Sequence, residues 1–415
     1  MPKRLFVFPS GAAVGQAYDL RQGLPPLLRP DIVPVTPPGA SQNYGCIAVS
    51  PNNSYAYFTT SSGTGGLYTD LTTFGSYTAP PLTISGTIYC CVASNDFYAN
   101  GSSSTYLMVY AYPSNAPQVV STTGLGSVDG LAFSPDGAYL VVVHQGSPYL
   151  RIYSTADWSY VNAAPAGTNP NTYQTGIGFT ADGAGVLVFT EASPYLNVFN
   201  LQTGARIYSG TNSAYQMSST SCVEPCSAST PDGNTLLIRT NTAPFISKVD
   251  LTSATYAAVA VPAPSPAIAA GGALWVDPDP DEDAVYVSHG AGSTSPPRYI
   301  TKFSLSTWAV DALGSGALHQ SFSNISVLMG TVSTPYQITG TVRDKDNNPC
   351  ARVVRAYSRA TGDLMAQSAS DAATGNYTIK VYDAGPYDVQ FMAQDGENLN
   401  DLFFSQTQPE SVTGS

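Results

Sequence analysis

The three histidines of the chain form no catalytic or metal-binding pattern. No two of His144, His289 and His319 lie at the spacing of paired metal ligands. The sequence also has no serine nucleophile elbow, no phosphate-binding loop and no dinucleotide fingerprint. We therefore expect no enzyme, no catalytic residues and no cofactor. His144 ends an apolar strand, and we assign it to packing or strand bridging.

Two cysteines four residues apart, Cys222 and Cys226, are the closest match to a zinc motif. Zinc in proteins takes about four ligands, and no second cysteine pair or histidine lies near them in sequence. Cys90 and Cys91 are adjacent, and adjacent strand residues point to opposite faces of a sheet. We therefore predict no metal at either pair, and buried thiols in a reducing compartment.

Five carboxylates lie between Asp277 and Asp283, an oxygen density that suits calcium. The calcium-loop pattern Asp-x-Asp-x-Asp-Gly has Glu282 in place of its glycine, and two prolines restrict the loop. We predict a solvated acidic turn here, with calcium binding as the alternative. A second acidic pattern, Asp344-x-Asp346-x-Asn348, is explained by a hairpin turn alone.

Tyrosine is unusually frequent, with 27 residues beside 15 Phe and 3 Trp. A tyrosine side chain suits a protein contact or the face of a sugar, because it adds contact area at low entropy cost. Many of these tyrosines recur in one repeated strand motif, however. We therefore assign that series to the core and to strand faces.

The composition excludes several classes of protein. Only 11% of the 415 residues are charged, and the usual residues of exposed helix faces are scarce, which favours an all-β fold. The net charge of −12 gives duplex nucleic acid no counterion-release reason to bind. We find no apolar run of about 18 residues, so we expect no membrane insertion. The N-terminus also lacks the apolar region of a signal peptide.

Two motifs repeat along the chain. The first is a turn with Pro at its second and Gly at its fourth position in the clearest copy, Ser134–Gly137, and it favours a type I hairpin turn followed by a left-handed residue. The second is an apolar strand motif that follows the turns. Its copies are Tyr106–Tyr110, Tyr149–Tyr153, Tyr195–Phe199, Phe245–Val249 and Tyr299–Phe303. They recur about every 40 to 55 residues, the size of a four-stranded propeller blade.

Six such units fit between about Tyr44 and Leu313. Leu5–Phe8 matches the third-strand motif but has no turn motif before it, and Ser321–Met329 has no third strand after it. We predict that these two halves join into a seventh blade, which closes the ring and removes exposed sheet edges. The expected fold is a seven-bladed β-propeller over residues 1–332. Six blades are the alternative, because Ser321–Met329 is short for two strands. The pattern resembles WD40-like and cytochrome-type propellers, without their Trp-Asp dipeptide.

A second domain is predicted over residues 336–415, because charged residues become common and the blade motif stops after Val332–Pro335. Alternating strands indicate a small β-sandwich. They are predicted at Tyr336–Asp344, Val353–Tyr357, Asn376–Val381 and Tyr387–Phe391. This region resembles the carboxypeptidase-regulatory-like, transthyretin-type domain in residues such as Gly340, Asn348-Pro349, Thr361-Gly362 and Thr374–Tyr377. Cys350–Arg352 replaces the Gly-Ala usual there.

Three stretches of this region, Ala351–Gly362, Ser370–Tyr377 and Asn398–Leu402, are similar to a module that ends many tailed-bacteriophage virion proteins. The resemblance implies a non-enzymatic tail-tip, tail-fibre or capsid component that is assembled in the host cytoplasm and resides in the virion. The implied partners are other virion proteins, copies of the chain itself, and a host-surface glycan or protein. The alternatives are a propeller enzyme acting on sugars or lactones in the central channel, and an intracellular bacterial scaffold.

Overall fold

The structure is a computed structural model, and it describes the following parts of the chain: residues 4–7, 16–21, 24–28, 44–52, 54–60, 66–70, 77–78, 88–103, 107–163, 176–190, 193–216, 227–230, 232–240, 246–261, 275–278, 284–290, 298–317, 326–329, 336–381, 384–392 and 402–411. These residues are all-β, with one short 3-10 turn at Ser213–Tyr215. Within these described residues, no helix is long and apolar enough to cross a membrane.

The first strands of the chain are β1 (Arg4–Val7), β2 (Gln16–Arg21), β3 (Leu24–Leu28), β4 (Tyr44–Val49), β5 (Tyr55–Thr60), β6 (Gly66–Asp70), β7 (Tyr77–Thr78), β8 (Ile88–Ala93), β9 (Phe97–Ser102), β10 (Leu107–Ala111), β11 (Val128–Phe133), β12 (Tyr139–His144), β13 (Leu150–Ser154) and β14 (Tyr160–Ala163). The next are β15 (Gly176–Phe179), β16 (Gly185–Phe189), β17 (Leu196–Asn200), β18 (Arg206–Gly210), β19 (Ser227–Ser229), β20 (Thr235–Arg239), β21 (Ile246–Asp250), β22 (Ala258–Ala260), β23 (Trp275–Pro278), β24 (Val285–Gly290), β25 (Arg298–Phe303), β26 (Val310–Ala317) and β27 (Ser326–Met329).

These strands form seven antiparallel sheets within the described residues. Six are built from consecutive strands: sheet 1 (β4–β7), sheet 2 (β8–β10), sheet 3 (β11–β14), sheet 4 (β15–β18), sheet 5 (β19–β22) and sheet 6 (β23–β26). The seventh, the closing sheet, has the order β27-β1-β2-β3. All five predicted copies of the strand motif occupy the third position of their sheets, as expected.

The first strands of neighbouring sheets lie beside one another. In order, these inner strands are β4, β8, β11, β15, β19, β23 and β27, and β27 lies beside β4 again. The prediction that the two ends of this region meet in one sheet is therefore confirmed by the pairing of Leu5 with Leu328.

The predicted division of the closing sheet is wrong. Arg4–Val7 takes the second position instead of the third, and the C-terminal side contributes the single strand Ser326–Met329 within the described residues. The reason lies in β3, which contains Pro25 and Pro26. Proline has no N–H to donate, so such a strand suits the outer edge of a sheet. With β3 at the edge, Gln16–Arg21 becomes the third strand.

The turn motif has the predicted geometry. Ser134 Oγ accepts a hydrogen bond from Tyr139 N at 2.9 Å and donates one to Asp136 Oδ1 at 2.6 Å. Asp136 Oδ1 also accepts from Ala138 N at 3.0 Å, and Gly137 has φ 73°. The equivalent glycines Gly183 and Gly233 have φ 68° and 69°. These local bonds determine where each hairpin turns, because they satisfy the polar groups of the turn without help from other sheets.

Adjacent sheets pack face to face, and β12 shows how. Leu140 and Val142 belong to a hydrophobic cluster shared with sheet 2, whereas Val141 and Val143 belong to one shared with sheet 4. Side chains alternate between the two faces of a strand, so a strand covered on both faces reads as a continuous apolar run. This explains the sequence Leu140–Val143, in which every side chain is buried.

The C-terminal strands are β28 (Tyr336–Thr341), β29 (Val353–Ser358), β30 (Leu364–Ala369), β31 (Asn376–Val381), β32 (Tyr387–Phe391), β33 (Leu402–Thr407) and β34 (Glu410–Ser411). They form sheet 7 (β31-β28-β34) and sheet 8 (β30-β29-β32-β33), which share one core that includes Ile338, Ile379, Val354 and Val389. Among the described strands, neither sheet takes one from the first 329 residues, although β30 lies beside β3. The strands β30 and β33 were not predicted, because Ala, Ser and Gln weaken their β pattern.

Candidate functional site

Three neighbouring inner strands each have a β-bulge at their second residue. The pairing with the next strand skips Gly45 in β4, Tyr89 in β8 and Asp129 in β11. A bulge leaves the extra residue out of the ladder and redirects its side chain. Because these strands are neighbours, the three positions lie at the same end of adjacent sheets. We call Gly45, Tyr89 and Asp129 the bulge triplet.

Asp129 is the ionisable member of the bulge triplet. It is 7% exposed, and its Oδ1 accepts a hydrogen bond from Gln145 Nε2 at 3.3 Å. Burial raises the pKa of Asp129 to about 7, and the Gln145 amide only partly offsets this. The carboxyl group can therefore act as both a hydrogen-bond donor and an acceptor near neutral pH.

Gln145 lies in the turn between β12 and β13, and close backbone packing holds this turn in place. Gln145 N donates to Ser127 O at 2.8 Å, just before β11. A Cβ atom added to Gly126 would lie 2.7 Å from Gly146 N, so only glycine permits this approach. The contact fixes the Gln145 backbone relative to Asp129.

His144 immediately precedes Gln145 and is fully buried at the end of β12. Neither ring nitrogen has a hydrogen-bond partner among the described residues. Burial, together with the nearby positive charge of Arg151, lowers the pKa of His144 to about 4. A neutral, enclosed imidazole fits the packing role expected from the sequence.

Arg151 binds the chain segment that replaces a fourth strand in sheet 2. Its Nη1 donates to Ser121 O at 3.1 Å and its Nη2 to Thr123 O at 3.0 Å. Its Nε donates to Asn162 Oδ1 at 3.3 Å, and the guanidinium lies 4.1 Å from the centre of the Tyr160 ring. The guanidinium is thus bound by neutral groups, and it positions the segment that leads into β11.

Tyr110, which belongs to the repeated strand motif, is fully buried, as the sequence predicted for that series. Two tyrosines outside the motif lie in the same hydrophobic cluster. Tyr57 and Tyr98 are fully buried with ring centres 4.4 Å apart. Tyr57 Oη accepts from Asn100 Nδ2 at 2.7 Å, and burial raises the pKa of Tyr57 well above its usual value. Tyr98 also stacks on Tyr110. These side chains join two sheets and are closed to a ligand.

The predicted positions of Cys90 and Cys91 are confirmed. Cys90 lies in the hydrophobic cluster between sheets 2 and 3, and Cys91 in the one between sheets 1 and 2. They therefore point in opposite directions and cannot both bind one ion.

Several other candidate residues lie partly or wholly outside the described parts of the chain. These are Cys222, Cys226, His319 and residues 279–283, while His289 lies in β24. In the described part of the chain, no three His, Cys, Asp or Glu residues are grouped so that they could hold a metal ion. Asp344 forms the predicted turn, since its Oδ1 accepts from Asp346 N at 2.9 Å and from Asn348 N at 2.8 Å.

Sequence reasoning missed the bulge triplet and Gln145. A bulge is a property of two paired strands, so no local motif marks it. The available signal was Asp129 itself, a charged residue in the otherwise apolar inner strand Val128–Phe133.

Comparison with protein-family models finds no match, and comparison with curated proteins finds none either. Solved structures do match. The chain is similar to a functionally unknown protein from Desulfotomaculum acetoxidans, with 13% identity, a TM-score of 0.50, and coverage of 77% of this chain and 100% of that one. It is also similar to Kuenenia stuttgartiensis hydrazine synthase, with 14% identity, a TM-score of 0.45, and coverage of 62% and 75%. A third match is the computationally designed Ika8 protein, with 10% identity, a TM-score of 0.49, and coverage of 79% and 87%. At these identities the likeness concerns the fold alone.

Proposed function

We propose that residues 1–332 form a closed seven-bladed β-propeller and residues 336–415 a β-sandwich, and that the chain is a non-enzymatic structural component of a bacteriophage virion. The observation that supports the closed first domain is the pairing of β1 with β27, whereas the virion role rests on the resemblance of the C-terminal region to virion modules. As far as the structure describes the chain, this pairing completes the N-terminal set of sheets without a strand from the C-terminal region. The last 80 residues are then available for another task.

The other task we propose is attachment. Sheets 7 and 8 enclose their own core, including Val354, Ala356 and Tyr387, which are at most 1% exposed. A unit with its own core can pack as a separate domain. Together with the resemblance to virion modules, this supports a sandwich that binds a neighbouring virion protein or another copy of the chain. The propeller would then present its loops to the host surface.

Deletion of residues 336–415 tests the attachment role. We expect the shortened chain to keep its β-rich circular dichroism spectrum and a cooperative unfolding transition, but to be missing from purified particles by mass spectrometry. A full-length chain with the exposed substitution Val119→Ala is the control for incorporation. Incorporation of the shortened chain at normal occupancy would show that the propeller itself docks.

One observation favours the second candidate, a propeller enzyme acting on sugars or lactones. Asp129 is a buried carboxyl group with a pKa of about 7, a value suited to general acid–base catalysis. Wild-type protein and Asp129→Asn would be assayed with chromogenic glycosides and lactones between pH 5 and 8. Turnover that disappears in Asp129→Asn would favour the enzyme, and absence of turnover in both proteins would favour the binding role.

A further inference from the structure

We propose that copies of this chain associate head to tail, through one face of the C-terminal sandwich and one end of the N-terminal sheets of the next copy. The inference rests on the proposed function, because it names a second copy as the partner that the sandwich binds. The first surface is the outer face of sheet 8, which points away from the sandwich core. The second is the end of sheets 3 to 5 that carries the Ser134–Gly137 turn and its equivalents, which we call the turn end.

The outer face of sheet 8 is centred on Arg355. Val354 and Ala356 belong to the sandwich core, so the residues that alternate with them along β29 point outward. These are Val353, Arg355 and Tyr357. Val353 is 41% exposed, so the described chain leaves this face open. Arginine and tyrosine are enriched in protein interfaces, and this face therefore suits a protein contact.

Arg355 has donors that the chain itself does not use. Its Nε donates to Gln367 Oε1 at 3.4 Å, whereas its Nη1 and Nη2 groups form no hydrogen bond or ion pair among the described residues. The residues paired with it across the sheet, Gln367 on β30 and Gln390 on β32, carry no charge. A guanidinium can bind a carboxylate in a bidentate pair. The outer face is therefore suited to a partner with carboxylates on its surface.

The outer face of sheet 7 has a different character. Ile338 and Ile379 belong to the core, and the outward-pointing residues of β28 and β31 alternate with them. These six residues are all polar: Gln337, Thr339, Thr341, Asn376, Thr378 and Lys380. Such a face is typical of a sheet that lies against water. Of the two described outer faces of the sandwich, that of sheet 8 is thus the one suited to a partner.

The turn end presents exposed aspartates that are held in place. Asp136 Oδ1 accepts hydrogen bonds from Ser134 Oγ and Ala138 N, whereas its Oδ2 has no partner among the described residues. Asp182 is bonded in the same way in sheet 4. These bonds lower the pKa of both carboxyl groups, so both are ionised at neutral pH. Each therefore presents a fixed negative charge to a partner.

Three more exposed aspartates lie at the turn end. Asp232 occupies the equivalent turn of sheet 5, and Asp157 and Asp250 lie in the second turns of sheets 3 and 5. The two turns of sheet 3 are adjacent, since Thr155 N donates to Ala138 O at 2.9 Å, and an equivalent bond joins the two turns of sheet 5. The sequence of these five turns contains no Lys or Arg. The turn end is therefore a surface of the kind that Arg355 would bind.

Charge complementarity selects a second copy as the partner. One chain carries both Arg355 and the turn-end aspartates, in separate sets of sheets. A contact between two different surfaces of identical chains is heterologous, and its repetition gives a ring or an open filament. Each copy can therefore bind one neighbour through its sandwich and another through its turn end.

Sedimentation velocity of the full chain tests this association. We expect wild type to form dimers and larger species at an ionic strength of about 0.1 M and to dissociate at about 1 M, where the Debye length falls to about 3 Å. Arg355→Glu should weaken association by about tenfold or more, because it replaces the guanidinium by a charge of the same sign as the aspartates. Lys380→Glu, on the outer face of sheet 7, is the matched control and should associate as wild type does.

A second variant removes the turn-end charges and keeps the turns, because an Asn side-chain oxygen can still accept the hydrogen bonds of each turn. It combines Asp136→Asn, Asp157→Asn, Asp182→Asn, Asp232→Asn and Asp250→Asn. This variant alone and Arg355→Glu alone should both be mainly monomeric. An equimolar mixture should form a dimer that grows no further, since each variant keeps the surface that the other has lost.

Circular dichroism and thermal unfolding establish that each variant is folded. The inference is overturned if wild type stays monomeric at about 0.1 M ionic strength, if folded Arg355→Glu associates as tightly as wild type, or if the mixture stays monomeric. Mass spectrometry of purified particles reports separately on the virion role. A wild-type chain that associates in solution but is missing from particles would overturn the virion role alone.

Discussion

The two ends of sheet 3 shift the pKa of an aspartate side chain in opposite directions. At the turn end, Asp136 accepts hydrogen bonds from Ser134 and Ala138, and these hold its pKa below the usual value. At the other end, burial raises the pKa of Asp129 to about 7. The first end satisfies its polar groups locally, whereas the second encloses polar groups that are poorly satisfied. Burying poorly satisfied polar groups lowers the stability of the fold, and such a local loss of stability is typical of a functional site.

The second comparison is between equivalent positions in neighbouring sheets. His144 ends β12, and Thr190 directly follows the end of β16. Their positions are equivalent, because His144 N donates to Tyr149 O and Thr190 N donates to Tyr195 O, both at 2.9 Å. Thr190 Oγ1 donates to Pro194 O at 3.0 Å, whereas both ring nitrogens of His144 lack partners among the described residues. Sheet 3 therefore differs from sheet 4 at this end although their turn ends are the same. Four predictions test this contrast, in order of decreasing effect.

Asp129→Asn should have the largest effect, and its sign depends on pH. The folded protein raises the Asp129 pKa from 3.8 to about 7, so stability is full below pH 4 and is lost as pH rises through 7. This difference in pKa between the unfolded and folded states corresponds to a loss of about 4 kcal/mol in the free energy of unfolding. Asparagine cannot ionise. The free energy of unfolding of the variant, minus that of wild type, should therefore be larger at pH 8 than at pH 4. Urea unfolding at both pH values measures this. An equal difference at both pH values would contradict it.

His144→Leu should remove a loss of stability that wild-type protein shows at acid pH. The His144 pKa falls from 6.5 to about 4 on folding, so its stability contribution is present above pH 6.5 and is lost as pH falls through 4. The loss corresponds to about 3 kcal/mol. The stability contribution of Asp129 changes with pH in the opposite direction over this range. We therefore measure the effect of His144 in the Asp129→Asn variant, where the Asp129 contribution is absent. Urea unfolding at pH 4 and 7 should show the acid loss in Asp129→Asn and not in the double variant.

Arg151→Met should destabilise the protein by about 2 kcal/mol, since it removes hydrogen bonds from a charged donor to Ser121 O and Thr123 O. Arg151→Lys should not restore stability, because an ammonium group lacks the planar array of donors. Arg206→Met, on the exposed start of β18, is the control and should leave the unfolding midpoint nearly unchanged. Full recovery in Arg151→Lys would show that charge alone matters.

Gly183→Ala should have the smallest effect, a loss of about 1 kcal/mol. A Cβ at this position meets nothing within 4 Å, so the cost comes only from φ 68°, which side chains disfavour. Gly233→Ala has the same geometry and should give the same loss. Thermal unfolding of the two variants should therefore agree. A marked difference between them would show that the turn ends are not equivalent.

Local patterns predicted much of the fold. Asn376–Val381 was predicted as a strand and is observed with those bounds, and the turn Ser134–Gly137 has the expected left-handed glycine. Both depend on residues close in sequence, so propensity and turn chemistry suffice. The third-strand motif was found for the same reason, because its buried last residue, such as Tyr153 or Phe199, recurs in each copy.

The closing sheet was predicted in outline and misassigned in detail. Its existence follows from two incomplete units at opposite ends of one repeat array. Its division into three strands and one depends on which strand occupies the edge, and Pro25 and Pro26 in β3 decide that. Blade number and the virion role stay predictions.

The sequence by itself determined the repeat, the turns, the paired ends and the change of composition before residue 336, because each is written in neighbouring residues. Only the tertiary structure decided that Gly45, Tyr89 and Asp129 lie on adjacent strands, and that Gln145 reaches Asp129. Residues about 40 apart come together only when sheets pack and strands pair in register. The bulges and the buried carboxyl group arise from that register, so no reading along the chain could locate the site.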